Sequence, residues 1–465
     1  MQRAPTGRYT VTEHDIRLPM AEFTYPRDLL TRLKRAWPEQ ANPDSGHTTE
    51  LPTDRQLKRF FDVAYHASFL TEEKRRLGFR LIFTSDDNYN ATPGLHASVV
   101  RNEFIALDPP REYNVGEILR LAPATDYTRV LICVGPSTSS KEKGKLCIWG
   151  LIDAGSSWWD FTHGESTGSF PPPDYLTVSS TEPGNLTISR QGWIVLSLWQ
   201  GEILEPARAT LNLGPIASFF SDAKDCLYDA AVAELGSETY DLKGKDDNFP
   251  RTFYMQFLER ILFHIREMSH GGTVIFVPHN IEAGDARLID RILIKYPCEY
   301  DRAWNSIVKS LALLRRYYDL HFELRNATKS ISVEQYCEVT EMDSQMDEIE
   351  RSLSDSIKFI ASLSGVDGAV LMTDKLKVLG FGAEVIASSP SLKEIRVAQD
   401  TLGKEGRITS IEMYGTRHRS AFRFCSSFEE SVAFVISQDG GVKAVKRDGP
   451  DLILWSSINS GALGI

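Results

Sequence analysis

Two short clusters of polar residues near the C-terminal end of the chain contain the residue types needed for phosphate chemistry. Residues 415–419 read Gly-Thr-Arg-His-Arg, so two arginines flank a histidine directly behind a Gly-Thr turn. Two guanidinium groups, backbone amides and a hydroxyl can together hold a polyphosphate, because arginine is permanently charged and donates paired hydrogen bonds. His418 can bind a metal ion through a neutral nitrogen, or donate a hydrogen bond when protonated. The alternative is a solvated basic turn, which the acidic composition of the rest of the chain disfavours.

The second cluster is Asp367 and Gly368, which come directly before the apolar run AVLMT. A glycine beside the carboxylate lets the backbone approach a ligand closely. Taken alone, the pattern is better explained as a turn before a strand. Its chemical meaning therefore depends on what else the fold brings to this position.

The elements around both clusters alternate between helical and strand patterns, as in an α/β domain. Apolar residues recur at helical spacing over residues 251–270, and Gly271-Gly272 then precedes the strand candidate TVIFVP. A second strand candidate, RILIKY, and two more helical stripes beginning near Trp304 and Met342 follow. We predict an α/β domain over residues 223–465, with a mixed central sheet flanked by helices. The polar segment 388–408 is expected to be a surface loop.

Residues 1–222 are typical of an α+β domain. A helical pattern over residues 55–78 leads to six apolar runs of strand length, separated by Gly, Pro and Ser. The runs are FRLIFTS, RVLICV, KLCIWGLI, YLTV, NLTIS and GWIVLSLW. This punctuation favours antiparallel pairing of the strands.

Composition narrows the classes of function. The net charge is −11, which argues against a broad basic surface for nucleic acid. The six cysteines form no CxxC pair, so they indicate neither a zinc site nor a disulfide framework, and buried thiols in a reducing cytoplasm are the simpler interpretation. The sequence has no signal-peptide core and no apolar run long enough to span a membrane. We expect a cytoplasmic protein without a membrane or nucleic-acid partner.

Taken together, the C-terminal motifs resemble the diadenylate cyclase (DAC) domain family. Asp367-Gly368-Ala369 match the DGA motif of that family, residues 415–419 match its GTRHR motif in full, and Ser437-Gln438-Asp439 occupy the position of its Ser-Glu-Glu motif. The resemblance extends more faintly over residues 225–465. Two departures are the long separation of the first two motifs, and the replacement of two glutamates by Gln438 and Asp439.

The resemblance implies an enzyme that joins two ATP molecules into cyclic di-AMP and releases two pyrophosphates. It implies a homodimer or higher homo-oligomer with DAC domains face to face, and Mg²⁺ or Mn²⁺ as cofactor. The residues that it implicates are Asp367, Arg417, His418 and Arg419 for catalysis; Gly368, Ala369, Ile386, Gly415, Thr416, Arg417, Arg419 and Ser437 for the nucleotide; and Asp367, His418 and Asp439 for the metal. The alternative is a degenerate DAC-like domain that binds a nucleotide and acts as a sensor without turnover, an idea prompted by Gln438 and Asp439.

The N-terminal region resembles DACNV, a sensor module that precedes DAC domains in a group of bacterial proteins. The resemblance rests on Ile148–Asp153, Ser157–Asp160, His163 and Pro183–Trp193. Adjacent tryptophans with an aspartate and a histidine could bind an unknown small ligand, with the aromatic rings stacking on it. The alternative, that Trp158 or Trp159 is simply part of the core, is at least as well supported.

Overall fold

The chain forms two compact units, one within residues 20–207 and the other within 208–460. The computed structural model describes residues 24–37, 50–72, 75–84, 103–137, 145–159, 172–199, 201–204, 211, 213–236, 249–268, 270–326, 332–389, 391–438 and 441–456. The boundary that we expected after residue 222 lies inside a helix of the second unit. Leu211, Ile216 and Phe220 belong to the buried core of that unit, which is why the division lies closer to residue 207.

The N-terminal unit is an eight-stranded sheet with helices, in agreement with the predicted α+β class. All six predicted strands are present. The elements are α1 (Leu29–Ala36), α2 (Asp54–Ser68), β1 (Thr71–Glu72), β2 (Arg75–Arg76), β3 (Phe79–Phe83), β4 (Glu103–Glu112), α3 (Val115–Leu121), β5 (Val130–Pro136), β6 (Leu146–Asp153), β7 (Leu176–Ser180), β8 (Leu186–Arg190), β9 (Trp193–Trp199) and β10 (Glu202–Leu204). The sheet order is β10-β9-β8-β7-β3-β5-β6-β4, and every neighbouring pair is antiparallel except β3 and β5.

Helix α2 is shorter than its sequence pattern predicted. It ends at Ser68, whereas the pattern continued to residue 78. The Ser68 hydroxyl donates to the carbonyl of Tyr65 and accepts from the amide of Gly184, which fixes this end of the helix against the sheet. The following residues form β1 and β2 and bring the buried Leu77 into the core. The helical prediction was wrong here because charged residues after Phe69 fit either structure.

The C-terminal unit has a nine-stranded mixed sheet. The elements are α4 (Gly214–Phe219), α5 (Ser221–Leu235), α6 (Phe249–Glu267), β11 (Gly272–Val277), α7 (Ala286–Ile289), β12 (Ile292–Tyr300), α8 (Arg302–Asn326), α9 (Val333–Leu363), β13 (Ala369–Thr373), β14 (Val378–Val385), β15 (Glu394–Ala398), β16 (Gly406–Ser410), α10 (Thr416–Ser427), β17 (Val432–Ile436), β18 (Val442–Asp448) and β19 (Asp451–Trp455). The order of the strands in the sheet is β12-β14-β13-β11-β17-β18-β19-β15-β16, in which β11 with β13 and β15 with β19 are the parallel pairs.

Helices cover both faces of this sheet, as predicted for a mixed sheet of an α/β domain. Strand β11 is buried along its whole length, with Val274 and Phe276 in one core and Ile275 and Val277 in the other. The first core includes residues of α4, α5, α6, α8 and α9, and the second includes residues of α7 and α10. Burial on both faces explains why the strand sequences are continuous apolar runs rather than alternating ones.

The segment 388–408 is not the surface loop that we expected. It contains β15 and part of β16, and β15 pairs with both β16 and β19 in the sheet. Ile395 and Val397 are buried in the core while Glu394 is exposed, so alternation in a polar sequence marks a strand with one covered face. This pair of strands lies between the first two motifs and occupies part of their long separation.

The longest helices, α8 and α9, pack against each other and against the core. Among the helices of the described ranges, none is both long and apolar enough to cross a bilayer. The six cysteines are free, and burial raises the pKa of the Cys425 thiol to about 12. This thiol therefore stays protonated and acts as an apolar core group.

Phe434 should carry a large part of the packing of the central sheet. Its ring is fully buried and lies edge-on to Phe276, with 5.8 Å between the ring centroids. We expect Phe434→Ala to lower the free energy of unfolding by about 3–5 kcal/mol, because the truncation leaves a cavity. The exposed Tyr336, replaced by alanine, serves as the control and should change it by less than about 0.5 kcal/mol. Chemical denaturation measures both, and equal small effects would contradict this account of the core.

Candidate functional site

Three sequence motifs meet at one edge of the C-terminal sheet. Strand β11 lies between β13, to which it is parallel, and β17, to which it is antiparallel. The starts of β11 and β13 and the end of β17 consequently lie at the same edge. Asp367 and Gly368 directly precede β13, Gly271 directly precedes β11, and Ser437 directly follows β17.

Asp367 stands in a short connection between α9 and β13. Asp367 is exposed, and so is Gly368. Gly368 has φ +121°, and a Cβ at this position would lie 2.5 Å from the carbonyl carbon of Gly382 on β14. Glycine is therefore required by the backbone here, and it lets the chain turn sharply enough to leave Asp367 at the surface of the sheet edge.

Gly415 is the N-cap of α10, and the fold does not require a glycine there. Its φ of −67° suits any residue, and within the described structure a Cβ on Gly415 would meet no atom within 4 Å. The helix has no side-chain cap at this end, so its first amide groups lack the hydrogen bond that a capping side chain would supply. Uncapped amides at a helix N-terminus are suited to an anion, and the lack of a side chain at 415 leaves room for one.

Arg417 connects α10 to the sheet edge. Its Nη1 donates a 3.0 Å hydrogen bond to the carbonyl oxygen of His270. A Cβ on Gly271 would lie 2.7 Å from this Nη1, 2.6 Å from the carbonyl of Ile436 and 3.1 Å from the amide nitrogen of Gln438. The second and third motifs thus meet over the Gly271 backbone.

His270 also reaches toward the first motif. A Cβ on Gly365, two residues before Asp367, would lie 3.4 Å from Nε2 of His270. The ring Nδ1 of His270 lies 2.5 Å from the carbonyl oxygen of Gly271. His270 and Gly271 therefore contact the segments on both sides of β11. The sequence motifs did not predict His270 and Gly271 as site residues, although the Gly271-Gly272 pair before a buried strand could have indicated this position.

His418 and Arg419 are half-buried on α10. The His418 ring lies beside Tyr414 and Phe422, with centroids 5.7 and 6.3 Å away. Burial raises the pKa of the neighbouring Tyr414, while Arg407 opposes that shift. The Nε of Arg419 is buried and has no hydrogen-bond partner among the described residues, so this guanidinium retains a donor for a ligand.

The remaining predicted nucleotide residues lie at or near the same edge. Ala369 is the buried first residue of β13 and pairs with Ala383 of β14. Since β13 and β14 are antiparallel, the end of β14 and the exposed Ile386 after it lie beside the start of β13. The amide of Ser437, directly after β17, donates to the carbonyl of Gly441, directly before β18. Thr416, the first residue of α10, is exposed, and Asp439 lies outside the described residues.

A divalent cation fits this site only if groups of the protein and of a bound phosphate hold it together. Within the described ranges, no group of three or more His, Cys, Asp or Glu side chains is arranged to hold a metal ion. Asp367 offers one exposed carboxylate at the edge. Mg²⁺ is commonly held by one or two carboxylates, substrate phosphates and water, so a single carboxylate here is compatible with it.

A second pair of titratable residues lies at the opposite edge of the same strands. His279 follows β11, and its Nδ1 lies 3.1 Å from both carboxylate oxygens of Asp374, which follows β13. Burial raises the pKa of Asp374, while His279 opposes that shift. The hydroxyl of Tyr254 donates to the backbone carbonyl of Asp374. This pair is separate from the three motifs because it lies at the other ends of β11 and β13.

The tryptophan pair in the N-terminal unit has structural contacts. Trp158 is buried in a small core, as the alternative interpretation held. Trp159 lies edge-on to Tyr127, and the buried guanidinium of Arg80 lies 5.5 Å from its ring. Burial lowers the pKa of Arg80 to about 10. Asp160 and His163 lie outside the described residues, so the proposed ligand loop stays a prediction.

Comparison with known proteins identifies one region of the chain. Residues 47–153 match the family model described as "Probable sensor domain DACNV". This match covers α2 through β6 of the N-terminal unit. No curated protein and no solved structure matches the chain. The N-terminal sensor assignment is therefore supported by family as well as by motif.

Two glycines of the site should lose stability to different degrees when they are replaced by alanine. Gly368→Ala should destabilise the protein by at least about 1–3 kcal/mol, because the residue has φ +121° and no space for a Cβ. Gly415→Ala should cost less than about 1 kcal/mol, because only N-cap preference is lost. Thermal or chemical denaturation of both variants checks this, and a larger loss at 415 than at 368 would refute the distinction between a glycine that the backbone requires and one that it does not.

Proposed function

We propose that the C-terminal unit is a diadenylate cyclase that condenses two ATP molecules into cyclic di-AMP and two pyrophosphates. The N-terminal unit regulates it as a sensor. The observation that carries the proposal is the meeting of all three motifs at the β13-β11-β17 edge, with Arg417 bonded to the backbone just before β11. A chance match of short motifs would not be expected to bring them to the same edge of one sheet.

The N-terminal end of α10 is suited to the triphosphate. Its uncapped amides, the exposed Thr416 hydroxyl and the guanidiniums of Arg417 and Arg419 all belong to one helical turn. Arg417 uses Nη1 on His270, which fixes the guanidinium while its other nitrogens stay available for phosphate oxygens. Held in place before the ligand arrives, these donors stabilise the charge that develops on the leaving pyrophosphate.

Asp367 provides the carboxylate for the attacking hydroxyl. The 3′-oxygen of one ATP attacks the α-phosphorus of the other, a new O–P bond forms, and the bond from the α-phosphorus to pyrophosphate breaks. Asp367 orients the 3′-hydroxyl and accepts its proton as the bond forms. A divalent cation shared by Asp367 and the phosphate oxygens would neutralise charge in this site. His418 and Asp439 remain proposed ligands for it.

Two protomers are needed because each hydroxyl attacks the nucleotide of the other subunit. One protomer offers one copy of the three motifs and hence one nucleotide site. Aligning two bound nucleotides can contribute about 7–11 kcal/mol to lowering the barrier. A sensor that changes the arrangement of protomers would therefore change output without altering any residue of the site.

The decisive assay is incubation of the full chain with ATP and Mn²⁺ or Mg²⁺, with the products separated by chromatography. Cyclic di-AMP and pyrophosphate should form in a molar ratio of one to two. Asp367→Ala should reduce the rate by at least about 100-fold, because the group that positions and deprotonates the hydroxyl is lost. Asp343→Ala, which removes an exposed carboxylate from α9, is the matched control and should leave the rate unchanged.

The alternative, a nucleotide sensor without turnover, makes a different prediction in the same assay. Gln438 favours it, since its backbone lies at the Gly271 contact where a glutamate of the family motif is replaced. ATP binding that depends on Arg417 but gives no cyclic di-AMP with either metal would decide for this alternative. If the chain neither binds ATP nor forms cyclic di-AMP, the cyclase proposal and the sensor alternative are both overturned.

A further inference from the structure

The N-terminal unit has a cleft of about 420 Å³ whose lining is strongly cationic. Helix α2 forms one wall, and the end of β4 and the beginning of β6 form the other. Its charged lining residues are Arg55, Lys58, Arg59 and Lys145, with Asp62 and Glu112 of opposite sign. Four cations against two acids stand out in a chain whose net charge is −11.

The cations of α2 lie on one helical face. Arg55, Lys58 and Arg59 are spaced i, i+3 and i+4, and all three are exposed, while Leu57 and Phe60 on the other face are buried. Like charges at this spacing destabilise a helix by a few tenths of a kcal/mol per pair. No ion pair of these three residues occurs among the described parts of the chain. An anion in the cleft would relieve their mutual repulsion.

The floor of the cleft is apolar and well anchored. Tyr113 and Leu146 are both buried, and the amide of Tyr113 donates to the carbonyl of Leu146. The Tyr113 hydroxyl donates a 2.8 Å hydrogen bond to the carbonyl of Phe60 on α2. Both walls are therefore connected through Tyr113, and the cleft is present before any ligand binds. Such preformed sites commonly have volumes of about 300–1,000 Å³.

We propose that this cleft binds a small phosphate-bearing molecule. Phosphate suits the lining better than a single carboxylate does, since several cations converge and guanidinium groups bind phosphate through paired hydrogen bonds. All lining residues fall within the DACNV match at 47–153. The binding stands independently of the C-terminal chemistry, whereas any effect of the ligand on cyclase output rests on the proposed function above.

The test is isothermal titration of the full chain with inorganic pyrophosphate, in the background Arg417→Ala/Arg419→Ala. This background removes the two guanidinium groups of the C-terminal site and so weakens phosphate binding there, and any further loss that a change in the cleft causes belongs to the N-terminal unit. The further change Lys58→Glu/Arg59→Glu should weaken binding by at least about tenfold. Arg129→Glu is a control, because it reverses one exposed charge of the same unit outside the cleft, and it should leave the affinity unchanged.

A milder variant keeps the proposal testable if the charge reversals impair folding. Asp62→Asn removes one of the two acids from the lining and should tighten pyrophosphate binding by about two- to threefold. No binding in the Arg417→Ala/Arg419→Ala background would overturn the proposal, and so would equal weakening by Arg129→Glu.

Sedimentation with phosphatidylglycerol vesicles distinguishes a small phosphate-bearing molecule from a lipid headgroup as the source of the phosphate. Vesicle binding that Lys58→Glu/Arg59→Glu abolishes would assign the cleft to lipid headgroups and overturn the small-molecule proposal.

Discussion

The hydrogen bond from Arg417 to the carbonyl of His270 is the contact on which the candidate site depends. It fixes the N-terminal turn of α10 against the start of β11, and it is possible because Gly271 has no side chain to keep the guanidinium away. Since β11 lies between β13 and β17, the same contact places Arg417 near the adjacent ends of both of these strands. Without it, α10 would still pack on the sheet through its buried residues, but the guanidinium of Arg417 would have no fixed position relative to Asp367.

The glycines at this edge have two different structural roles. Gly271 and Gly368 have positive φ and close backbone neighbours, so they allow the chain to pass where a side chain would clash. Gly415 has neither constraint, and its missing side chain instead leaves space at the N-terminal end of α10. The first kind builds the edge, and the second leaves it accessible to a charged ligand. The rest of α10 is held to the sheet by Phe422 and Phe424, so the open turn is on a rigid support.

Much of this arrangement could be predicted from the sequence, for identifiable reasons. Buried strands such as β11 and β17 are continuous apolar runs, which their burial on both faces dictates, and the motif residues follow or precede those runs directly. The strands β15 and β16 were missed because their polar alternation resembles a loop. The contribution of His270 was missed because a backbone carbonyl carries no residue-specific signal. The basic cleft was overlooked because α2 shows its cations only as an ordinary amphipathic pattern until β4 and β6 are placed beside it.

The most direct measurement is a crystal structure of the full chain with 3′-deoxyadenosine triphosphate and Mg²⁺, since this nucleotide binds but has no hydroxyl to react. The account predicts phosphate oxygens within hydrogen-bond distance of the Thr416 hydroxyl and of the guanidiniums of Arg417 and Arg419. It also predicts the carboxylate of Asp367 beside the ribose of the nucleotide held by a second subunit. A nucleotide bound away from the β13-β11-β17 edge, or one whose phosphates do not contact α10, would contradict it.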